Sequence, residues 1–249
     1  MIVAVSGPPG VGKTNWIRQQ LAVAGSQVQY FSPNTIAIDS TCIAAEFPTV
    51  QTLSEGEDYQ LLVQTNPKAI TYIELGFHLD LEAVDLVLST LDESYHRVAV
   101  LPPNLEKKEL HNWANEIVVG ATVKDEITKL ELWRATSSGQ VLDPASLEIF
   151  WYELTKGAYG NVSRAKGIFE LVDGYAFYFN FVAGMSDSDS YTQLDLQRWL
   201  KGRPERFSGI EVVGIGLEKD AIAQTLKDCC LSDAALAHYQ QQIKETEEQ

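Results

Sequence analysis

Cysteine is scarce in this chain. Cys42, Cys229 and Cys230 are too few and too clustered to frame a small fold with disulfides, so a reducing compartment, the cytoplasm, is the expected setting. No apolar run approaches the roughly 20 residues that a membrane-spanning helix needs, and no membrane partner is expected. The opening MIVAVSGPPG has no basic n-region and passes straight into a glycine loop, unlike a signal peptide. Basic residues are scarce too: 19 Lys and Arg against 34 Asp and Glu leave a net charge of −15. Nucleic acid is not the expected partner, because neutralising its phosphates takes concentrated Lys and Arg. Any smaller polyanion must find a local electropositive nest within an acidic field. Gly-x-Ser-x-Gly and His-Glu-x-x-His are both missing, and no Ser/His/Asp set stands out.

What the 249 residues do contain is alternation, with 45% apolar side chains to build a core. Residues 2–6 are apolar up to Ser6 and stopped by Gly-Pro-Pro-Gly, the pattern of a central strand covered on both faces. A helix over 13–23 follows, with Trp16, Ile17 and Leu21 on one side. Strands are expected at 28–31, 69–73, 97–101 and 116–119, with a helix over 81–91. This order predicts an α/β fold, a mostly parallel sheet with helices on both faces. Asp143-Pro144 is a helix start, and Gly157 and Gly160 end that helix after about residue 155.

The pattern then changes. Strands 166–172 and 175–182 flank Asp173-Gly174, a hairpin signal. Tyr175, Phe177, Phe179 and Phe181 share one face at period two, and they read as a core face under a helix. A strand at 209–215, a helix over 218–230 and another capped by Ser232 complete a smaller α+β domain. The boundary is expected near 158, giving a P-loop nucleotide-binding domain over 1–157 and the α+β domain over 158–249.

SGPPGVGKT fits Gly-x-x-x-x-Gly-Lys-Ser/Thr at Gly7, Gly12, Lys13 and Thr14. Glycines let the backbone curl so that successive N–H groups point inward as an anion nest, and the next helix adds its positive N-terminal dipole. The stretch Gly7, Pro8, Pro9, Gly10, Val11, Gly12, Lys13, Thr14, Asn15 is therefore the expected nucleotide-contacting segment. Lys13 would reach the β- and γ-phosphates and the Thr14 hydroxyl would ligate Mg²⁺. The motif alone does not name the base, so GTP and ATP both stay open.

GAYGNVSRAKGIFELVDG (157–174) and GIEVVGIGLEKDAIAQTLKDCCL (209–231) resemble the C-terminal domain of CobW-type GTPases. The basic joint Arg164-Ala165-Lys166-Gly167 and the closing helix with its cysteines carry the likeness. The resemblance implies a P-loop GTPase of the SIMIBI class, tied to metal delivery, with a client metalloprotein or a second copy as partner. The family's switch segment ends in Ile-Asp, here Ile38-Asp39, and the acidic residue expected seven positions earlier is Ser32. Its switch strand ends in a glutamate, here Glu74, but the glycine that should follow three residues later is Gly76, one place early. By that resemblance Thr14, Asp39 and Glu74 are the expected metal ligands.

Other family features are missing. The Leu-Ser-x-Gly-Cys-x-Cys-Cys metal loop matches 53–60, with Glu57, Tyr59 and Gln60 in place of the thiolates that select zinc-like ions. Where Asn-Lys-x-Asp should read guanine, the chain has Gly120-Ala121-Thr122-Val123. A rebuilt zinc site could draw on Asp39, Cys42, His78 and Asp80. The expected function is a CobW-like protein binding GTP or ATP with Mg²⁺, a switch or adaptor with slow or absent hydrolysis. The alternatives are an active GTPase metallochaperone with that rebuilt site, and a small P-loop kinase whose one mid-chain lid arginine would be Arg134.

Overall fold

The computed structural model describes residues 1–25, 27–53, 69–91, 95–103, 108–123, 129–185 and 190–247. The chain divides into two units, Met1–Val123 and Lys124–Gln249. Among the described residues no helix is long and apolar enough to cross a membrane.

The first unit runs β1 (Ile2–Ser6), α1 (Lys13–Val23), β2 (Val28–Phe31), α2 (Ile38–Glu46), β3 (Gln51–Leu53), β4 (Ile70–Glu74), α3 (Leu81–Leu91), β5 (His96–Leu101), α4 (Lys108–Trp113) and β6 (Glu116–Val119). Its six strands lie in the order β3-β2-β4-β1-β5-β6, all paired in parallel. Every residue of β1 is buried, because β4 and β5 flank it and helices cover both sheet faces. Period-two alternation sorts the core into two layers. Ile2, Ala4, Ile73 and Ala99 pack with Leu81, Leu88, Leu110 and Trp113 on one face. Val3, Val5, Tyr30, Tyr72 and Val98 pack with Ile17, Leu21 and Ile43 on the other. The second layer matters for function, since it sets the start of α1 over the ends of β2 and β4.

The second unit holds β7 (Glu131–Thr136), α5 (Pro144–Thr155), β8 (Asn161–Glu170), β9 (Ala176–Val182), β10 (Ser190–Gln193), β11 (Gly209–Ile215), α6 (Lys219–Asp228) and α7 (Asp233–Glu247). Its antiparallel sheet has the order β10-β9-β8-β11-β7. The β8–β9 turn uses Gly174 at φ 84, and the Asp173 carboxylate accepts from the Tyr175 N–H at 3.1 Å. Asp143 caps α5 by accepting from the Ser146 N–H at 2.8 Å, with Pro144 in the first turn. The aromatic stripe of β9 lies under that helix. Trp151 meets Phe179 edge-on at 5.2 Å and Phe169 at 6.3 Å between centroids, a geometry that aromatic quadrupoles favour.

Elements β3, α4 and β10 are not among the sequence expectations, β8 starts five residues earlier than expected, and two further features differ. The division falls after Val123 rather than at 157/158, so β7 and α5 belong to the second unit. β7 is an edge strand, and its Glu-Leu-Trp-Arg-Ala-Thr sequence mixes polar and apolar positions without a clean period. It is a strand because β11 pairs with it over six residues. The second difference is α2, which occupies the stretch read only as a switch segment. Its N-cap is Ala37, with no side-chain cap, so no start signal marked it.

A buried charge cluster ties β7 into this sheet. Glu211 on β11 stands opposite Arg134 of β7 and Lys166 of β8. It accepts from Arg134 Nε at 2.7 Å and lies 3.1 Å from Lys166 Nζ. Burial by itself pushes the Glu211 carboxyl up, but Lys166 and Arg134 outweigh it and hold it at about 2.

Two stability predictions follow from this packing. Trp151→Ala should destabilise the second unit by about 3–5 kcal/mol in urea unfolding, whereas Tyr152→Ala, on the exposed side of the same helix, should stay within about 0.5 kcal/mol. The Glu211 carboxyl is depressed in the folded state, from 4.5 to about 2. Its contribution is therefore present above pH about 4.5, on the order of 3 kcal/mol, and is lost as pH falls toward about 2. Urea unfolding of wild type and Glu211→Gln at a series of pH values should show that acid-sensitive portion missing in the variant.

Candidate functional site

The loop between β1 and α1 is shaped by contacts that only glycine permits. A Cβ on Gly7 would stand 2.2 Å from the Val100 carbonyl oxygen, so the chain can leave β1 beside β5 only without a side chain. Gly10 and Gly12 take left-handed conformations, with φ of 75° and 101°. Gly12 is the N-cap of α1 and no side chain caps the helix. The first N–H groups of α1 have no intrahelical partner by geometry, and at this end they face a loop rather than a capping carboxylate. Lys13 folds over the loop, donating from Nζ to the carbonyls of Gly7 at 3.0 Å and Pro8 at 3.2 Å. From the far side the Ala121 N–H donates to the Val11 carbonyl at 2.9 Å. Gly120 beside it would bring a Cβ to 2.3 Å from that same oxygen. Gly7, Pro8, Val11 and Lys13 are buried, Pro9, Gly10, Gly12 and Thr14 half-buried, and Asn15 is exposed.

The other half of the site is acidic. Thr14, in the first turn of α1, donates from its hydroxyl to Glu74 Oε1 at 2.9 Å. Tyr30 donates to the second oxygen of the same carboxylate, Oε2, also at 2.9 Å. Ser32 donates to the Glu74 backbone carbonyl at 3.1 Å. Strand register explains the convergence. Tyr30 pairs with Tyr72, so Glu74, two residues on, lies on the same sheet face as Tyr30, under the start of α1. Asp39, buried in the first turn of α2, joins electrostatically. Burial first, then the charges of Glu74 and Asp39, push the Tyr30 hydroxyl well above its ordinary value, so it stays a protonated donor.

Thr14 and Tyr30 thus meet on the two oxygens of the Glu74 carboxylate, and the Asp39 charge acts on the same tyrosine hydroxyl. Hydroxyl and carboxylate oxygens are hard donors, which suit Mg²⁺, and Thr14, Glu74 and Asp39 bring none of the soft thiolates that select zinc-like ions. Tyr30 is the site residue that sequence reading missed. Its only signal is a tyrosine inside a strand of four buried residues, where a phenolic hydroxyl needs a partner.

The rebuilt zinc site is not gathered: among the described residues no group of three or more His, Cys, Asp and Glu stands together. Asp80 instead caps α3, accepting from the N–H groups of Glu82 and Ala83 at 2.9 and 3.1 Å. Cys42 is buried on α2. The stretch 54–60, where the family's metal loop was aligned, lies outside the described residues. Burial, followed by the neighbouring Cys230 and nearby carboxylates, pushes the Cys229 thiol up to about 11, away from the thiolate that binds metal. Arg134, the candidate lid arginine, is held by Glu211 within the second unit's sheet. Arg203 and Arg206 are likewise tied down, to Asp233 at 2.8 Å and to Glu170 at 2.5 Å.

Residues 134–230 match the family described as the cobalamin synthesis protein cobW C-terminal domain. No curated protein matches the chain. The Zn(II)-bound YjiA GTPase from E. coli aligns over 92% of this chain and 98% of that chain, at 13% identity and a TM-score of 0.33. A Zn(II)-bound triple mutant of YjiA aligns with the same coverage, identity and score. The family match starts within β7 and closes at the end of α6, which covers most of the second unit. Behind an N-terminal unit with a P-loop motif, then, this chain carries a stretch, 134–230, that matches the CobW C-terminal domain.

Proposed function

We propose that this protein binds the triphosphate of GTP or ATP together with Mg²⁺ at Gly7–Thr14, and that the bound state serves as a switch or adaptor with slow or absent hydrolysis. The observation that carries this reading is the Thr14–Glu74 hydrogen bond at the foot of an uncapped, glycine-headed helix. A hydroxyl that spends its proton on a carboxylate keeps its lone pairs for a cation. The N–H groups at the head of α1 suit phosphate oxygens, and Lys13 would exchange the Gly7 and Pro8 carbonyls for them. Bound Mg²⁺ would supply charge neutralisation between the terminal phosphates. It has a second task here. Glu74 and Asp39 are buried carboxylates beside the loop, and they would repel a polyphosphate that arrived without a cation.

Slow turnover fits the way the polar groups are spent. Hydrolysis needs a group free to orient the attacking water. Each carboxylate oxygen of Glu74 already accepts from a hydroxyl that fixes its direction, and Ser32 uses its own hydroxyl on a backbone carbonyl. Base discrimination should be weak, because the guanine-reading aspartate is absent and the Ala121 N–H is committed to the loop. The CobW relation suggests a client metalloprotein or a second copy as partner, in the cytoplasm.

Titration with fluorescent GTP and ATP analogues, with and without Mg²⁺, tests the reading. Wild type should bind only with Mg²⁺, Lys13→Ala should bind at least about tenfold more weakly, and the two bases should differ by less than about tenfold. Binding that ignores Mg²⁺ or survives Lys13→Ala would overturn the site. A preference above about a hundredfold, roughly 2.7 kcal/mol, would overturn the weak base reading alone.

A further inference from the structure

Resting on the reading of this loop as a Mg²⁺–nucleotide site, we propose that Tyr30 is a positioning residue: its hydroxyl locks Glu74 in the orientation that presents Thr14 to the cation. Tyr30 sits in the middle of a wholly buried strand and is itself 0% exposed. A phenylalanine would fill that space as well. The tyrosine instead carries a polar atom into the core, which is costly unless the atom is paired, and its partner is Glu74 Oε2 at 2.9 Å.

The consequence falls on Thr14. Glu74 sits at the end of β4, buried under the start of α1. With Oε2 accepting from Tyr30, Oε1 is turned toward α1, where Thr14 Oγ1 meets it at 2.9 Å. Ser32 fixes the same residue through its backbone carbonyl. The carboxylate is therefore held at two points, from β2 and from α1, with the residue's backbone carbonyl held by Ser32, and the threonine lone pairs have a set direction. The Tyr30 hydroxyl bonds the Glu74 carboxylate, while Lys13 bonds the carbonyls of Gly7 and Pro8. Loss of that hydroxyl should weaken the response to Mg²⁺ and leave the phosphate cradle intact.

The test is Tyr30→Phe, which removes one oxygen and keeps the ring, with Tyr72→Phe as a matched deletion on the adjoining strand. Two quantities are read: the Mg²⁺ concentration that half-saturates binding of a fluorescent nucleotide analogue, and the affinity for that analogue at saturating Mg²⁺. In Tyr30→Phe the Mg²⁺ requirement should rise about tenfold, the low end of what a lost hydrogen bond to a charged group removes, while the affinity at saturating Mg²⁺ stays within about twofold. Tyr72→Phe should change neither. A merely structural hydroxyl would move both quantities together or neither, and either result overturns the positioning role while leaving the nucleotide site standing. Absence of any Mg²⁺-dependent binding in wild type would overturn both.

Discussion

The first unit turns on one carboxylate. Glu74 is reached from α1 by Thr14 and from β2 by Tyr30, residues 60 and 44 positions away in the chain. A buried carboxylate without partners carries a desolvation cost of several kcal/mol. Two hydroxyl donors, one to each oxygen, reduce that cost and convert it into geometry. The parallel register of β2, β4 and β1 is what makes this possible, since a slip of one residue would send Tyr30 to the opposite sheet face. The sheet, the helix over it and the loop between them are therefore specified together, and the loop's conformation cannot be separated from the core beneath it.

Much of this was legible in the sequence, and for identifiable reasons. β1, α1, β2, α3 and β6 appear where pattern placed them, because α3 carries a helical apolar stripe and each of the others combines an apolar run or stripe with a glycine or proline stop. The Asp143-Pro144 cap and the Asp173-Gly174 turn were readable because those residue pairs have few other uses. Phosphate-loop glycines were readable for the same reason. What stayed hidden depends on pairing across the chain. β7 is a strand by virtue of β11, α2 begins without a cap, and the Tyr30 hydroxyl acquires a role only once β4 lies beside β2. None of these leaves a local trace.

The CobW relation and the site chemistry point in different directions, and the difference is informative. The C-terminal domain is recognisable along 97 residues, while thiolates and the guanine-reading aspartate are missing from the N-terminal unit. Retention of glycines at positions where a Cβ would strike a carbonyl concerns the backbone path of the loop. Loss of the other motifs concerns what the loop would do with its ligand. The loop keeps its glycine-shaped backbone path, while Asp80 serves as a helix cap and Arg134 is held in the second unit's own sheet.

The cluster of Arg134, Glu211 and Lys166 bears on where this protein can be cut. A fragment beginning at 158 would discard β7 and α5 together. Glu211 would lose the guanidinium that faces it, and Phe169 and Phe179 would lose the tryptophan that covers them. What remained would be a sheet with an exposed aromatic face and a new open edge, the two features that drive edge-to-edge aggregation. A fragment beginning at 124 keeps both protections. The minimal soluble C-terminal piece is set by an arginine on an edge strand rather than by the glycines at 157 and 160 that punctuate the sequence.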